Sequence, residues 1–158
     1  MDLPALINQI NTLQLEVSKN FIMESNQVSE GFGLQLTPAG AEEIINARNG
    51  HLLELGRVDT DLGIVKKIIL TFCSSSYVDN SSFVGTVNDL VHTFYFCKNH
   101  SHDLIGDDDL IALMQFYFNG SCGGSVELLR ERELSAFIRI FLRAYHENAS
   151  GREEMNAI

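Results

Sequence analysis

The densest run of side chains capable of chemistry is Cys97-Lys98-Asn99-His100-Ser101-His102-Asp103, with His92 one and a half turns upstream. Thiolate and imidazole are donors that zinc prefers, and Cys-x-x-His across a helix end brings two of them within reach of one ion. Cys97, His100 and His102 are therefore the candidate metal ligands, with zinc as the candidate ion and His92 as a possible fourth donor. Two features count against this reading. A structural zinc site needs four ligands, and Cys97 keeps step with Phe83, Val87, Leu90 and Phe94, a seam that directs its thiol into a core. The preferred expectation is no cofactor, and a metal-binding protein or small metalloenzyme is the alternative.

Other runs have simpler explanations. Asp107-Asp108-Asp109 reads as a helix cap followed by two acidic residues near the positive end of a helix dipole, and its spacing does not match a calcium loop. Asn119-Gly120-Ser121-Cys122-Gly123-Gly124-Ser125 precedes a helix, where exposed amides can hold phosphate. It lacks the lysine of a nucleotide loop, however, and Glu127 would repel the ligand. Cys122 reads as the most exposed thiol, but no histidine adjoins it to act as base. No Ser-His-Asp order, nucleotide fingerprint or HExxH is present, so an enzyme is not favoured.

The final helix carries a different signal. At 100° per residue Arg132, Arg139, Arg143 and His146 fall within about 60° of one another, opposite Leu134, Phe137, Ile138, Phe141 and Tyr145. This is the candidate partner-binding strip, suited to an acidic protein surface or the carboxylates of a second copy. Its simpler reading is the solvated side of an amphipathic helix.

The elements that must position these residues are helices. Leu3, Leu6, Ile10, Leu13 and Val17 draw one stripe on a helix capped by Asp2. The strict alternation of Leu13, Leu15 and Val17, repeated in Phe32, Leu34 and Leu36, also predicts a short extended pair near residues 13–17 and 31–36. Thr37-Pro38 starts a helix to about Gly56 with Ala41, Ile45, Leu52 and Leu55 inward, and Asn49-Gly50 could interrupt it. Asp59 or Asp61 caps a largely apolar helix ending at Ser74-Ser75-Ser76. Ser81 or Ser82 opens the Phe83 to Cys97 helix. Asp107 caps one that Asn119-Gly120 stops in the left-handed way, and the last runs from Ser125 to about Glu147. The fold class is mainly α, a bundle of five or six helices in a single domain over residues 1–158, with a polar tail at 148–158.

Composition narrows the partners. The chain has 158 residues, 45% of them hydrophobic, and eleven basic against twenty-one acidic side chains give a formal charge of −10. That sign disfavours nucleic acid and anionic membranes. A DNA-binding arginine face ranks third among the functional readings. No basic, apolar leader opens the chain and no stretch reaches the ~18 apolar residues of a membrane span. Three widely spaced cysteines do not form a disulfide framework. A cytoplasmic location follows as the expectation.

The segments Gly56-Arg57-Val58 through Phe94-Tyr95-Phe96-Cys97-Lys98-Asn99, Asp107-Asp108-Asp109-Leu110-Ile111, Tyr117-Phe118-Asn119-Gly120 and Ser125-Val126-Glu127-Leu128 resemble an uncharacterised family of small helical bacterial proteins over about residues 37 to 130. The resemblance implies a helical fold and a bacterial cytoplasm, but no activity and no site residue. From the residues themselves the favoured function is a non-catalytic protein-interaction or regulatory module, whose partner is another protein or a second copy.

Overall fold

The computed structural model describes residues 2–156, with side chains described through residue 150. Six long helices carry the fold: α1 Leu3–Met23, α2 Pro38–Glu54, α3 Gly63–Phe72, α4 Phe83–His100, α5 Asp107–Asn119 and α6 Ser135–Asn156. The architecture is all-α, with no strand among the described residues. No helix of the described residues is long and apolar enough to cross a membrane. The chain resolves into two compact units, residues 1–95 and 96–158, and the division falls within α4.

In the first unit the local signals act as expected at two helix starts. The Asp2 carboxylate accepts the Ala5 N–H at 3.0 Å, and the Thr37 hydroxyl accepts that of Gly40 at 3.0 Å with Pro38 in the first turn. Each satisfies an amide that the helix itself leaves open. α2 runs through Asn49-Gly50 and stops at Gly56, whose φ of +66° suits a residue without Cβ. The Arg57 N–H then reaches back to the Leu52 carbonyl at 2.8 Å. α3 has no capping side chain on Leu62, but the Asp61 carboxylate takes the Gly63 N–H at 2.8 Å. Val65, Ile68, Ile69 and Phe72 of α3 are buried, as are Phe83, Val87, Leu90 and Phe94 of α4.

The extended pair expected at 13–17 and 31–36 does not form. α1 is helical throughout, and its alternation arises from two apolar faces: Leu15 is half-buried and Ile22 is fully buried on one side, while Leu13 and Val17 lie outside. Residues 31–36 make a tight turn and a short open segment in which Leu34 and Leu36 are buried. The Asn26 side chain stands in for a partner strand, accepting the Leu36 N–H at 2.7 Å and donating to the Leu36 carbonyl at 2.9 Å.

In the second unit the N-cap of α5 is Gly106, not Asp107, and all three aspartates lie in the first turn. A carboxylate there still suits the dipole. Gly120 is not left-handed, with φ at −102°; the positive φ values fall at Gly123 and Gly124. Ser125 caps the next turn by accepting the Leu128 N–H at 3.2 Å. A widened π-helical stretch, Leu129–Leu134, leads into α6, which continues to Asn156 through much of the expected polar tail.

Candidate functional site

Cys97 is 1% exposed, on the same face of α4 as the seam that predicted it. Burial pushes its thiol up to about 12, far from the thiolate that binds metal readily. His100 is exposed, stacks on Phe96 at 4.0 Å between centroids, and donates from Nδ1 to the Phe96 carbonyl at 3.1 Å. His102 is exposed beyond the helix end with φ +53°, followed by Asp103 at +58°. Cys97, His100 and His102 are not a converging ligand group among the described residues.

The charged member of that run has a structural task. Lys98 is buried, donates to the Ile105 carbonyl at 2.7 Å and pairs with Asp107 at 2.8 Å. This pins the turn between α4 and α5, and it gives Asp107 a role that a capping argument did not supply. Cys122 is also buried rather than exposed, and burial leads the causes that raise its thiol pKa.

One group of potential ligands does converge among the described residues: His51 and Glu54 on the last turn of α2 and His92 on α4, with ligand atoms all within 4.8 Å of one another. The two imidazoles stack at 4.2 Å with planes 9° apart. Both are half-buried and Glu54 is exposed. His92 belonged to the sequence-level cluster, but its neighbours in space are forty-one and thirty-eight positions upstream.

One turn away, the loop before α3 links α2 to α4. Arg48 is buried at 7% exposure and donates to the Asp59 carbonyl at 2.7 Å and the Asp61 carbonyl at 2.6 Å. Asp59 also accepts a short hydrogen bond from the Tyr95 hydroxyl, and the Arg57 guanidinium lies over the Tyr95 ring at 5.7 Å. Burial, reinforced by the Asp59 carboxylate, raises the Tyr95 phenol well above its ordinary value. Arg48 precedes His51 by three and Tyr95 follows His92 by three, so both pairs lie along neighbouring strips of the same two helices.

The arginine strip divides. Arg132 pairs with Glu133 at 2.7 Å and donates to the Ser121 carbonyl at 3.0 Å. Arg139 and His146 line a hollow of about 450 Å³ with His100, Phe96, Ile138 and Leu142. Arg143 is exposed and is not among the lining residues. Thus His100, from the metal candidates, and Arg139 and His146, from the docking candidates, meet around one mostly apolar depression.

A broad apolar surface is exposed on α1. Residues 2–14 are exposed on every side of the helix. Leu3, Leu6, Ile7, Ile10, Leu13, Val17 and Phe21 are between 37% and 68% exposed. A hollow of about 570 Å³ runs beside Ile10, Leu13 and Val17, with Thr60 at its edge. The apolar spacing of α1 was visible in the sequence, but its direction was not: a stripe of that kind normally faces its own core.

Fold and sites together define an all-α protein with an uncovered helical stripe and an imidazole pair. The chain belongs to a family of unknown function, DUF6323, whose model matches residues 21–147. That span contains His51, Glu54, His92 and the Arg48 network, and begins near the end of α1. No curated protein and no solved structure matches the chain.

Proposed function

We propose that this protein is a non-catalytic interaction module that works by pairing with a second copy of itself through the outer face of α1. The observation that carries the reading is the exposed heptad on that helix. Leu3, Ile10 and Val17 fall at one core position of the repeat and Leu6 and Leu13 at the other. Two of the three residues at the first position, Ile10 and Val17, are β-branched and both at the second are leucine, a combination that favours a parallel two-stranded coiled coil.

Three physical arguments select a second copy as the occupant. The seven exposed apolar residues of α1 offer on the order of 700 Å² per copy, close to the roughly 800 Å² that each partner contributes to a standard interface. A stretch of about 12 residues packed on nothing is marginal as a helix in water, so a partner would supply the stability that its own chain does not. Asp2 is the only charged side chain among residues 1–15. Two copies can therefore meet along α1 with little repulsion despite a formal charge of −10 each.

Sedimentation equilibrium across a hundredfold concentration range tests the reading. The wild-type chain is expected to reach the mass of a dimer, and Leu6→Glu with Leu13→Glu to remain a monomer with unchanged helicity in the matched region. A wild-type monomer at every concentration overturns it. So does a dimer that survives the α1 changes and dissociates instead with Arg139→Glu and Arg143→Glu, which would move the interface to α6.

A further inference from the structure

We infer that His51, Glu54 and His92 form a binding site for a divalent transition-metal ion of the zinc class, with two imidazole nitrogens and one carboxylate as protein ligands and water completing the shell. The inference does not depend on the pairing of α1.

Ligand chemistry sets the class of ion. Two imidazoles and a carboxylate suit zinc, nickel or copper(II), whereas calcium and magnesium require shells built from oxygen. Zinc also accepts three protein ligands with one open position, the set of two histidines and one glutamate being among its common arrangements. The Cys97, His100 and His102 set lacks this convergence, and its thiol is buried with a raised pKa.

Distance and flexibility make the site attainable. Zinc–ligand bonds of 2.0–2.2 Å at tetrahedral angles place donor atoms about 3.4 Å apart, against the present limit of 4.8 Å. The contraction is at most about 1.4 Å, within reach of side-chain rotation. The stack itself must open, because an ion lies in the plane of each imidazole and cannot be in both planes when the rings are 9° from parallel and 4.2 Å apart. Glu54 is exposed at the helix end, so it can swing inward without disturbing packing, and partial exposure of the histidines leaves a water-accessible face.

The net charge of the chain favours a cation. With a formal charge of −10, the chain raises the local concentration of cations. The Arg48, Asp59 and Tyr95 network holds the α2–α4 register on which convergence depends. These are positioning residues, one turn removed from the ligands.

Titration of the full chain with zinc chloride, followed by calorimetry and by competition with a chromophoric chelator, tests the inference. One zinc ion per chain and a raised melting temperature are expected. His51→Gln and His92→Gln should each weaken binding by more than about a hundredfold, beyond the 10–100-fold that losing a supporting group costs. Glu54→Gln, at an exposed position, provides the same readout if a histidine variant fails to fold. Absence of zinc binding by the wild-type chain overturns the site. Binding that survives all three changes, or that is lost instead with His100→Gln or His102→Gln, also overturns it.

Discussion

Two imidazole clusters in this molecule have opposite relations to the sequence. His100 and His102 are neighbours in the chain, next to a cysteine, but the first is occupied by Phe96 and the second lies in a left-handed turn. His51 and His92 are forty-one positions apart and stack face to face. Ligand spacing along the chain thus predicted convergence where a helix ends and the backbone turns away, and missed it where side chains of two different helices meet. The difference lies in backbone geometry: a helix end disperses successive side chains, whereas two packed helices hold a facing pair in register.

Five measurements would break or sharpen that contrast. The largest effect concerns Cys97, the thiol that made the first cluster look like a metal site. With its pKa near 12, its thiolate fraction at pH 8 should be about a thousandfold below that of an unperturbed thiol. Alkylation of Cys97 should therefore be negligible in the native chain and rapid in denaturant; fast native labelling would show that Cys97 is available as a ligand after all.

Removing the register lock comes next. Arg48→Met leaves the Asp59 and Asp61 carbonyls without their guanidinium donor, and should cost about 3 kcal/mol in urea unfolding. The same variant should lose zinc affinity if convergence of His51 and His92 depends on that network. A loss below about 0.5 kcal/mol would separate the network from the α2–α4 register.

The pH response of Tyr95 is smaller. Its folded pKa is raised above the ordinary value of 10.0, so the folded state holds the proton more tightly than the unfolded one. The resulting stabilisation is complete below pH 10 and declines as pH rises from there through the folded value. Unfolding free energy should fall less steeply above pH 10 in Tyr95→Phe than in the wild type. Parallel curves would remove Tyr95 from the linkage.

Smallest of all is the expected effect of His100→Gln, whose ring is exposed: stability should change by less than about 0.5 kcal/mol, and zinc binding not at all. His92→Phe keeps a ring against His51 and should stay within about 1 kcal/mol of wild type while abolishing zinc binding. A larger stability loss in His92→Phe would assign the stack a structural role.

Much of the fold was legible because helices announce themselves locally. Asp2 and Thr37 each cap where their side chain and the following apolar rhythm predicted, and Ser125 caps the turn that opens where the last helix was expected to start. The Phe83 to Phe94 seam and Cys97 are buried as their spacing required. Errors arose where one local pattern permitted two structures. Leu13, Leu15 and Val17 satisfy both strand alternation and a helix with two apolar faces. Cys122 in a glycine-rich loop looks exposed from its neighbours in the chain but is buried.

Arg48 and Lys98 carry no local signal for a related reason. A lone basic residue on a helix is ordinarily solvated, and nothing nearby in the chain reveals that backbone carbonyls at Asp59, Asp61 and Ile105 will gather around them. Those carbonyls become acceptors only once the loops have closed.

The sequence by itself determined that the chain is mainly α, where most helices begin, and which residues belong to apolar stripes, because propensity, capping and period act over a few residues. Tertiary structure decided which stripes are covered and which side chains meet. It left the heptad of α1 outside and brought His51 to His92, since both outcomes depend on how whole helices rotate and slide against one another, and no short stretch of residues encodes that.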